Sequence, residues 1–295
     1  MKVGTLFSGI GAPEFALKES KISHSIEFAC DNDIFVKETY LQNHKCKYFY
    51  NNINDITNLP SVDLLVFGFP CQPFSFAGKR LGLKDERGKL ILKALQIINK
   101  NKPKAFIAEN VEGLITRDKG KTLRLLLSKI RRMGYKVKHS IINALDYGIP
   151  QNRKRLWIVG TLNKDFEFSK HKITHSPLSS FLDKKVDNKY YATKSFLTKQ
   201  KVIQRIKNYK KDYINCITQT ICRNGSSSEY ISYVAAVHNA VGQTRKPTVD
   251  ECCRLFGFPE NFTFPESVSI TRQYAMLANS MVVPVIKTII EKLYE

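Results

Sequence analysis

The sequence predicts an α/β fold built on a mostly parallel sheet, followed in the chain by a smaller irregular domain. Three observations carry this. Short apolar runs alternate with helical patterns through the first half of the chain, and the runs stop at glycines or polar clusters. The residues able to do chemistry fall at the carboxyl ends of those runs, where open α/β sheets gather their functional groups. After Gly160 the alternation gives way to a stretch rich in Lys, Asn, Ser and Thr.

Val3 to Phe7 is the first strand candidate, followed by Ser8-Gly9-Ile10-Gly11-Ala12 and then Pro13 and Glu14. Proline suits a first helical position and a carboxylate suits a first turn, so the stretch reads strand, glycine turn, helix. The turn either admits a ligand to the backbone or is simply tight. Ser25 to Ala29 is the second strand, ending at Cys30-Asp31-Asn32-Asp33 before a helix from Ile34. A carboxylate at the end of a second strand can accept both hydroxyl protons of a ribose, which makes Asp31 a candidate; the competing role is a helix cap, which Asp33 could fill.

Leu64 to Phe67 is short and apolar and stops at Gly68, three residues before Cys71. Pro70 and Pro73 stiffen the turn around that thiol. Cys71 is therefore a nucleophile on a rigid turn or a small core filler. From Phe74 to Gly88 three glycines punctuate a basic loop carrying Lys79, Arg80, Lys84 and Arg87, which reads as a lid over phosphate or as a surface connection. A helix is expected from Leu90 to Asn99, a strand from Lys104 to Ala108 ending at Glu109-Asn110-Val111, and an amphipathic helix from Lys121 to Met133 closed by Gly134. Tyr135 to Ala144 alternates like a strand, and Leu156 to Gly160 is another.

Asn163 to Asn239 shows helical periodicity only near Lys201 to Tyr209 and is expected to be loop-rich, with a possible β content. Helical pattern returns at Thr248 to Leu255 and again towards Leu293. Across the 295 residues, 47 Lys and Arg face 26 Asp and Glu, a net charge of +21. A surface so basic repels itself unless a polyanion offsets it, which favours nucleic acid as partner. Seven cysteines without a CxxC pair indicate neither a disulfide framework nor a zinc site. With no signal-peptide pattern and no uninterrupted apolar run long enough to span a bilayer, the expectation is a soluble, cytoplasmic protein with no membrane and no metal.

These stretches together resemble the DNA (cytosine-5) methyltransferases. The blocks are TLFSGIGA at Thr5, Asp31, NDI at Asn54, GFPCQPFS at Gly68, AENV at Ala108, GIPQNRKRLWIVG at Gly148, RKPTVDECCRLFGFP at Arg245 and ANSMVVPV at Ala278. They keep the family's order over nearly the whole chain, departing from its usual residues at Asp31, Asn32 and Ala278. The resemblance implies a Rossmann-like sheet using S-adenosylmethionine, with Cys71 as nucleophile, Glu109 as the acid contacting the base, and Arg155 with Arg153 as cationic support. It places Phe7, Ser8, Gly9, Ile10, Gly11, Asp31, Asn32, Asp55, Ile56, Pro70, Leu90, Asn279 and Ser280 around the methyl donor. Ser75, Lys79, Arg80 and Arg87, with Thr218 or Thr220 of the recognition domain, would meet double-stranded DNA.

The implied organisation is a catalytic domain over 1–175, a target-recognition domain and hinge over 176–275, and a C-terminal helix over 276–295 that returns to the catalytic domain. The implied setting is a restriction-modification system, with a restriction endonuclease as companion, or that of an orphan methylase. Two other readings share these blocks: a tRNA cytosine-5 methyltransferase, and a DNA-binding relative that has lost activity.

Overall fold

The computed structural model describes all residues except Thr57, 71–85, His171 and 223–226, and it leaves out the side chains of 86–89 and Arg117. In chain order the strands are β1 (Lys2–Leu6), β2 (Ser25–Cys30), β3 (Tyr48–Tyr50), β4 (Leu64–Gly68), β5 (Ala105–Val111), β6 (Lys136–Asn143), β7 (Gln151–Asn152), β8 (Lys154–Thr161) and β9 (Ile214–Asn215). The helices are α1 (Ala12–Glu19), α2 (Ile34–Asn43), α3 (Glu86–Asn101), α4 (Gly113–Thr116), α5 (Lys121–Arg132), α6 (Lys194–Leu197), α7 (Gln200–Asn208), α8 (Ser228–Val241), α9 (Val249–Phe256), α10 (Ile270–Asn279) and α11 (Val283–Tyr294).

Seven strands form one sheet in the order β3-β2-β1-β4-β5-β8-β6. The pairs β1/β2, β1/β4, β2/β3 and β4/β5 are parallel, whereas β5/β8 is antiparallel. Chain order reverses direction between β1 and β4, so the crevice beyond their carboxyl ends is the switch point at which such sheets bind ligands. Strand interiors that bury both faces explain the nearly continuous apolar runs: Leu64, Leu65, Val66, Phe67, Phe106 and Ile107 are all at most 1% exposed. β5 runs past the expected stop at Ala108, because β8 pairs with it as far as Val111, opposite Arg155. Strand β3 is a sheet element with no counterpart in the sequence reading; its three residues, Tyr48-Phe49-Tyr50, are too few for alternation to register.

The chain divides into two compact units: Met1–Ile142 with Lys154–Lys170 and Val285–Glu295, and Asn143–Arg153 with His171–Pro284. These limits differ from the expected 175/176 and 275/276 by up to about ten residues, and the short segment Asn143–Arg153 goes to the second unit. The first unit holds the sheet's core, in which Leu123, Leu126, Leu127 and Ile130 of α5 pack at helical spacing.

The second unit keeps the irregular, loop-rich character expected between its elements but is not β-rich. Its described residues are largely helical, and the strand content is the two-residue parallel pair β7/β9. Helix α8 escaped detection because Tyr230 to Val237 are all buried, leaving no polar stripe to reveal a period. Ser227 caps it, its side chain accepting from Tyr230 N. Phe196, Val202, Tyr230, Ile231 and Val234 form a small core between α7 and α8.

Elsewhere in this unit, Arg245 and Glu251 are both 0% exposed and bonded through two guanidinium nitrogens at 2.7 Å. Glu251 also accepts from Thr248 N and Asp183 N at 2.7 Å, which closes a capping box on α9. The stretch Ile270–Tyr294 reaches the length and apolarity of a membrane span by composition alone. It comprises two helices, α10 and α11, interrupted at Ser280, and 67% of its most apolar window is buried within the protein, as in a core helix.

Candidate active site

The turn after β1 is held in an unusual backbone conformation. Phe7, Gly9 and Gly11 have φ of 51°, 56° and 84°, a region that costs a side-chain-bearing residue such as Phe7 on the order of 1 to 3 kcal/mol. Ser8 offsets that cost by lacing the turn to β2: Ser8 N donates to Cys30 O at 2.9 Å and Cys30 N donates to Ser8 Oγ at 2.9 Å. The two glycines serve different ends. Among the described residues a Cβ at Gly9 would meet nothing within 4 Å, so those residues leave space open at this position, whereas a Cβ at Gly11 would lie 2.1 Å from His44 Nε2. Gly9 therefore suits close approach of a ligand, and Gly11 is required by packing.

Asp31 stands one residue beyond β2. Its Oδ2 accepts from Gly9 N at 3.0 Å and its Oδ1 from Asp33 N at 3.2 Å, so one carboxyl ties the glycine turn to the entry of α2. The capping role belongs to Asp33, whose side chain accepts from Phe35 N and Val36 N. Burial raises the Asp31 carboxyl above the usual range, opposed by the backbone donors from Gly9 and Asp33. Each of its oxygens has taken one backbone donor and retains acceptor capacity, which fits a ribose diol. The open space at Gly9 beside this carboxyl fits the sugar end of S-adenosylmethionine.

The other expected donor-site residues are distributed as follows. Ile10 is 1% exposed within the core, so only its backbone can serve the site. Asn32 and Asp55 are exposed, Ile56 is buried, and Pro70 is half-buried. Leu90 packs against the sheet core. Asn279 and Ser280 belong to the second unit, where Asn279 Oδ1 accepts from Gln219 Nε2 at 3.1 Å and Ser280 is buried.

Glu109 lies within β5, in register with Gly68 on one side and Trp157 on the other. Arg155 is two residues from Trp157 and so shares its face, diagonal to Glu109. Its Nε lies 3.1 Å from Glu109 Oε1, with the two side chains 17% and 11% exposed. Arg155 Nη1 also donates to Lys154 O at 2.8 Å. The next residue, Asn110, donates from Nδ2 to Phe69 O at 2.9 Å. That bond fixes the chain two residues before Cys71 to the strand that carries Glu109. Sequence reading named Asn110 only as part of a block; an amide adjoining the acid was the available signal.

Cys71, Ser75, Lys79 and Arg80 lie outside the described residues, as does the side chain of Arg87. Arg153 is placed differently from the expectation that it assists Arg155. It is 3% exposed, its guanidinium donates to Ile217 O, Ala278 O and Ser280 O at 3.1, 2.9 and 2.8 Å, and it lies over the Phe256 ring. Its charge is committed to backbone carbonyls of the second unit. Thr218 and Thr220 share a 2.7 Å bond between their hydroxyls, and Thr218 Oγ1 lies 3.2 Å from Tyr233 OH. The two threonines thus form one hydroxyl cluster.

Comparison with known proteins adds to this geometry. The family model for C-5 cytosine-specific DNA methylase matches residues 1–295. Among similar proteins, the Type II methyltransferase M.HaeII of Haemophilus aegyptius is 38% identical over 96% of this chain and 90% of its own length. The Type II methyltransferase M.NlaX of Neisseria lactamica is 33% identical over 99% and 96%. Among solved structures, the Entamoeba histolytica methyltransferase EhMeth superposes with a TM-score of 0.80 at 22% identity, covering 100% of this chain and 98% of that one. The S. pombe Dnmt2 methyltransferase gives 0.78 at 22% identity, covering 99% and 97%, so both share the fold. Sequence match over the whole length, on a sheet whose switch point carries the Asp31 turn, assigns the chain to the C-5 cytosine-specific DNA methylases, which methylate carbon 5 of cytosine in DNA.

Proposed function

We propose that this enzyme takes a methyl group from S-adenosylmethionine and places it on one cytosine of a short double-stranded DNA sequence, through covalent addition of Cys71 to the flipped-out base. The observation that carries the proposal is the Glu109–Arg155 pair on β5 and β8, with Asn110 holding Phe69 just ahead of Cys71. Acid and cation thereby share one strand end with Phe69, two residues ahead of Cys71 in the sequence.

Cytosine carbon 5 is a poor nucleophile until electron density is built beside it. The Cys71 thiolate adds to carbon 6, and the ring electrons shift towards nitrogen 3 and carbon 5. Glu109, as the carboxylic acid, holds its proton against nitrogen 3 and neutralises charge there. Arg155, oriented by Glu109 and by Lys154 O, supplies fixed positive charge beside the base carbonyl, where it stabilises the developing anion without reorganising. When bound, S-adenosylmethionine supplies an electrophilic methyl group to carbon 5. Asp31 and the Gly9 turn orient that donor through its ribose. Loss of the carbon 5 proton and breaking of the bond to Cys71 regenerate the thiolate and release the methylated base. Because carbon 6 is unreachable in a stacked duplex, the base must leave the helix, and the basic residues Lys79, Arg80 and Arg87, the last at the start of α3, are proposed to meet the DNA around it.

The Type II methyltransferases among the relatives support a place for this enzyme in a restriction-modification system; in our reading it is a cytoplasmic monomer working alongside an endonuclease of the same specificity. The test is trapping. DNA with 5-fluorocytosine at the target position should give a denaturant-stable complex that requires S-adenosylmethionine, since fluorine cannot leave as the proton does. Cys71→Ala should bind the same DNA and neither trap nor turn over; a Cys71→Ala enzyme that methylates would place the chemistry elsewhere.

A further inference from the structure

We infer that Glu14 is a positioning residue for the methyl donor, acting through Thr5 and Ser8 on the turn that receives it. The inference rests on the reading that the Gly9 turn and Asp31 hold S-adenosylmethionine. Glu14 sits in the first turn of α1 and is 1% exposed, a rare situation for a carboxyl group without a cationic partner at hydrogen-bond distance. Its Oε1 accepts two hydroxyls, Thr5 Oγ1 at 2.9 Å and Tyr40 OH at 2.8 Å. Thr5 Oγ1 lies 2.7 Å from Ser8 Oγ, and Ser8 Oγ accepts from Cys30 N at 2.9 Å.

The donors in this chain have one consistent direction. Cys30 N–H points to Ser8 Oγ, and the Ser8 hydroxyl has two acceptors in reach, Cys30 O at 3.2 Å and Thr5 Oγ1 at 2.7 Å; with the Thr5 proton committed to Glu14, Thr5 Oγ1 is the nearer of the two. Glu14 is the terminal acceptor that sets the order. At its far end the chain reaches both ligand-side elements at once: Ser8 precedes Gly9, Cys30 precedes Asp31, and Gly9 N is bonded to the Asp31 carboxyl. The turn so held includes the positive φ of Phe7, a conformation that persists only when its surroundings over-determine it.

A purely structural carboxyl predicts a different outcome from a positioning one. Burial disfavours the charged form of Glu14 and raises its carboxyl above the usual range, against the hydroxyls of Tyr40 and Thr5, which lower it. Oε2 has no hydrogen-bond partner among the described residues. An apolar side chain of similar size removes that desolvation cost but leaves the buried Thr5 and Tyr40 hydroxyls without this acceptor, so melting has to be read beside binding while the turn loses its anchor.

The experiment measures S-adenosylmethionine binding to the full chain by calorimetry, with steady-state kinetics and thermal melting beside it. Glu14→Leu should weaken binding about 5- to 30-fold, raise KM for the donor similarly, and leave kcat at saturation within about twofold. Glu14→Gln keeps an oxygen for Thr5 and Tyr40 and should restore binding to within about twofold of wild type. Thr5→Val breaks the chain at its middle without touching Glu14 and should weaken binding in the same way, which covers the case of a Glu14→Leu chain that fails to fold. Wild-type binding by Thr5→Val, or by a folded Glu14→Leu, overturns the inference, as does a Glu14→Gln no better than Glu14→Leu. Asp31→Ala separates the two levels of the reading. If it binds the donor normally, the site itself is misassigned; if it binds weakly while Glu14→Leu binds normally, the positioning role alone falls.

Discussion

Glu251→Ala is expected to be among the most destabilising single changes in the second unit, and its cost can be built from the structure. The Glu251 carboxylate accepts four hydrogen bonds at 2.7 Å: two from Arg245 and one each from the backbone of Thr248 and Asp183. Both charged side chains are 0% exposed. Removing one partner of a buried pair typically costs about 3 to 5 kcal/mol because the remaining charge is left uncompensated. Loss of the reciprocal half of the α9 capping box adds about 1 kcal/mol. Arg245 keeps neutral acceptors in Gln243 Oε1, Asp183 O and Lys246 O, which soften the loss. The net expectation is about 4 to 5 kcal/mol, a large part of the roughly 5 to 15 kcal/mol that stabilises a typical protein. Two units make a single unfolding free energy ill-defined, so urea midpoints should be read with hydrogen exchange resolved to α9 and to Asp183. The double variant Arg245→Met with Glu251→Leu should recover much of the loss, since it buries no unpaired charge. A Glu251→Ala midpoint matching wild type, or a double variant worse than the single, would refute this account of the pair.

Further expectations concern the site and its surroundings. Glu109→Gln keeps the shape but cannot donate a carboxylic proton, so single-turnover methylation should slow by about 10²- to 10⁴-fold with slow 5-fluorocytosine trapping still visible; methylation at the full rate would remove Glu109 from the acid's role. DNA affinity should fall steeply with salt, by about 0.9 in double-logarithmic slope for each phosphate neutralised, and a flat titration would mean that the +21 charge serves another partner. Burial pushes the buried His44 imidazole down to about 3 from 6.5, with repulsion from Lys18 adding to the effect. The unfolded chain therefore binds the extra proton first as pH falls: stability from neutral His44 is complete above about pH 6.5 and is lost progressively towards pH 3. His44→Leu should flatten that part of the pH–stability curve, and an unchanged slope would assign it to other groups.

The legible parts of this molecule were those whose signal is local. Strand β4 was visible because four consecutive apolar residues stop at a glycine, and the start of α1 because Pro13 and Glu14 follow the turn. The division of labour between Asp31 and Asp33 was not legible, since either carboxylate could cap α2 and only the backbone path decided it. Arg153 and Arg155 are neighbours in sequence and looked alike as cations. They differ because Arg155 lies diagonal to Glu109 in the β5/β8 ladder, whereas Arg153 precedes the strand and turns into the carbonyls of Ala278 and Ser280. Helix α8 shows the opposite failure: it is so thoroughly buried that periodicity, which reports partial exposure, had nothing to report.

The extension of β5 through Glu109, Asn110 and Val111 accounts for polar residues placed where a buried strand would otherwise stay apolar. Successive side chains of a strand point to opposite faces, so Glu109 and Asn110 cannot do the same work. Glu109 meets Arg155 across the antiparallel ladder, while Asn110 reaches the backbone of Phe69 beyond the end of the parallel neighbour β4. Were these residues in a loop, the acid and the anchor could drift relative to one another. As consecutive ladder positions they are held at a fixed separation by the pairings Gly68 with Glu109 and Asn110 with Leu156. A 1 Å error in placing reacting groups can cost about 10²-fold in rate. On the proposed mechanism, two adjacent polar residues at the end of a strand paired on both sides limit that error, because the sheet that fixes Glu109 also fixes Phe69, two residues ahead of Cys71.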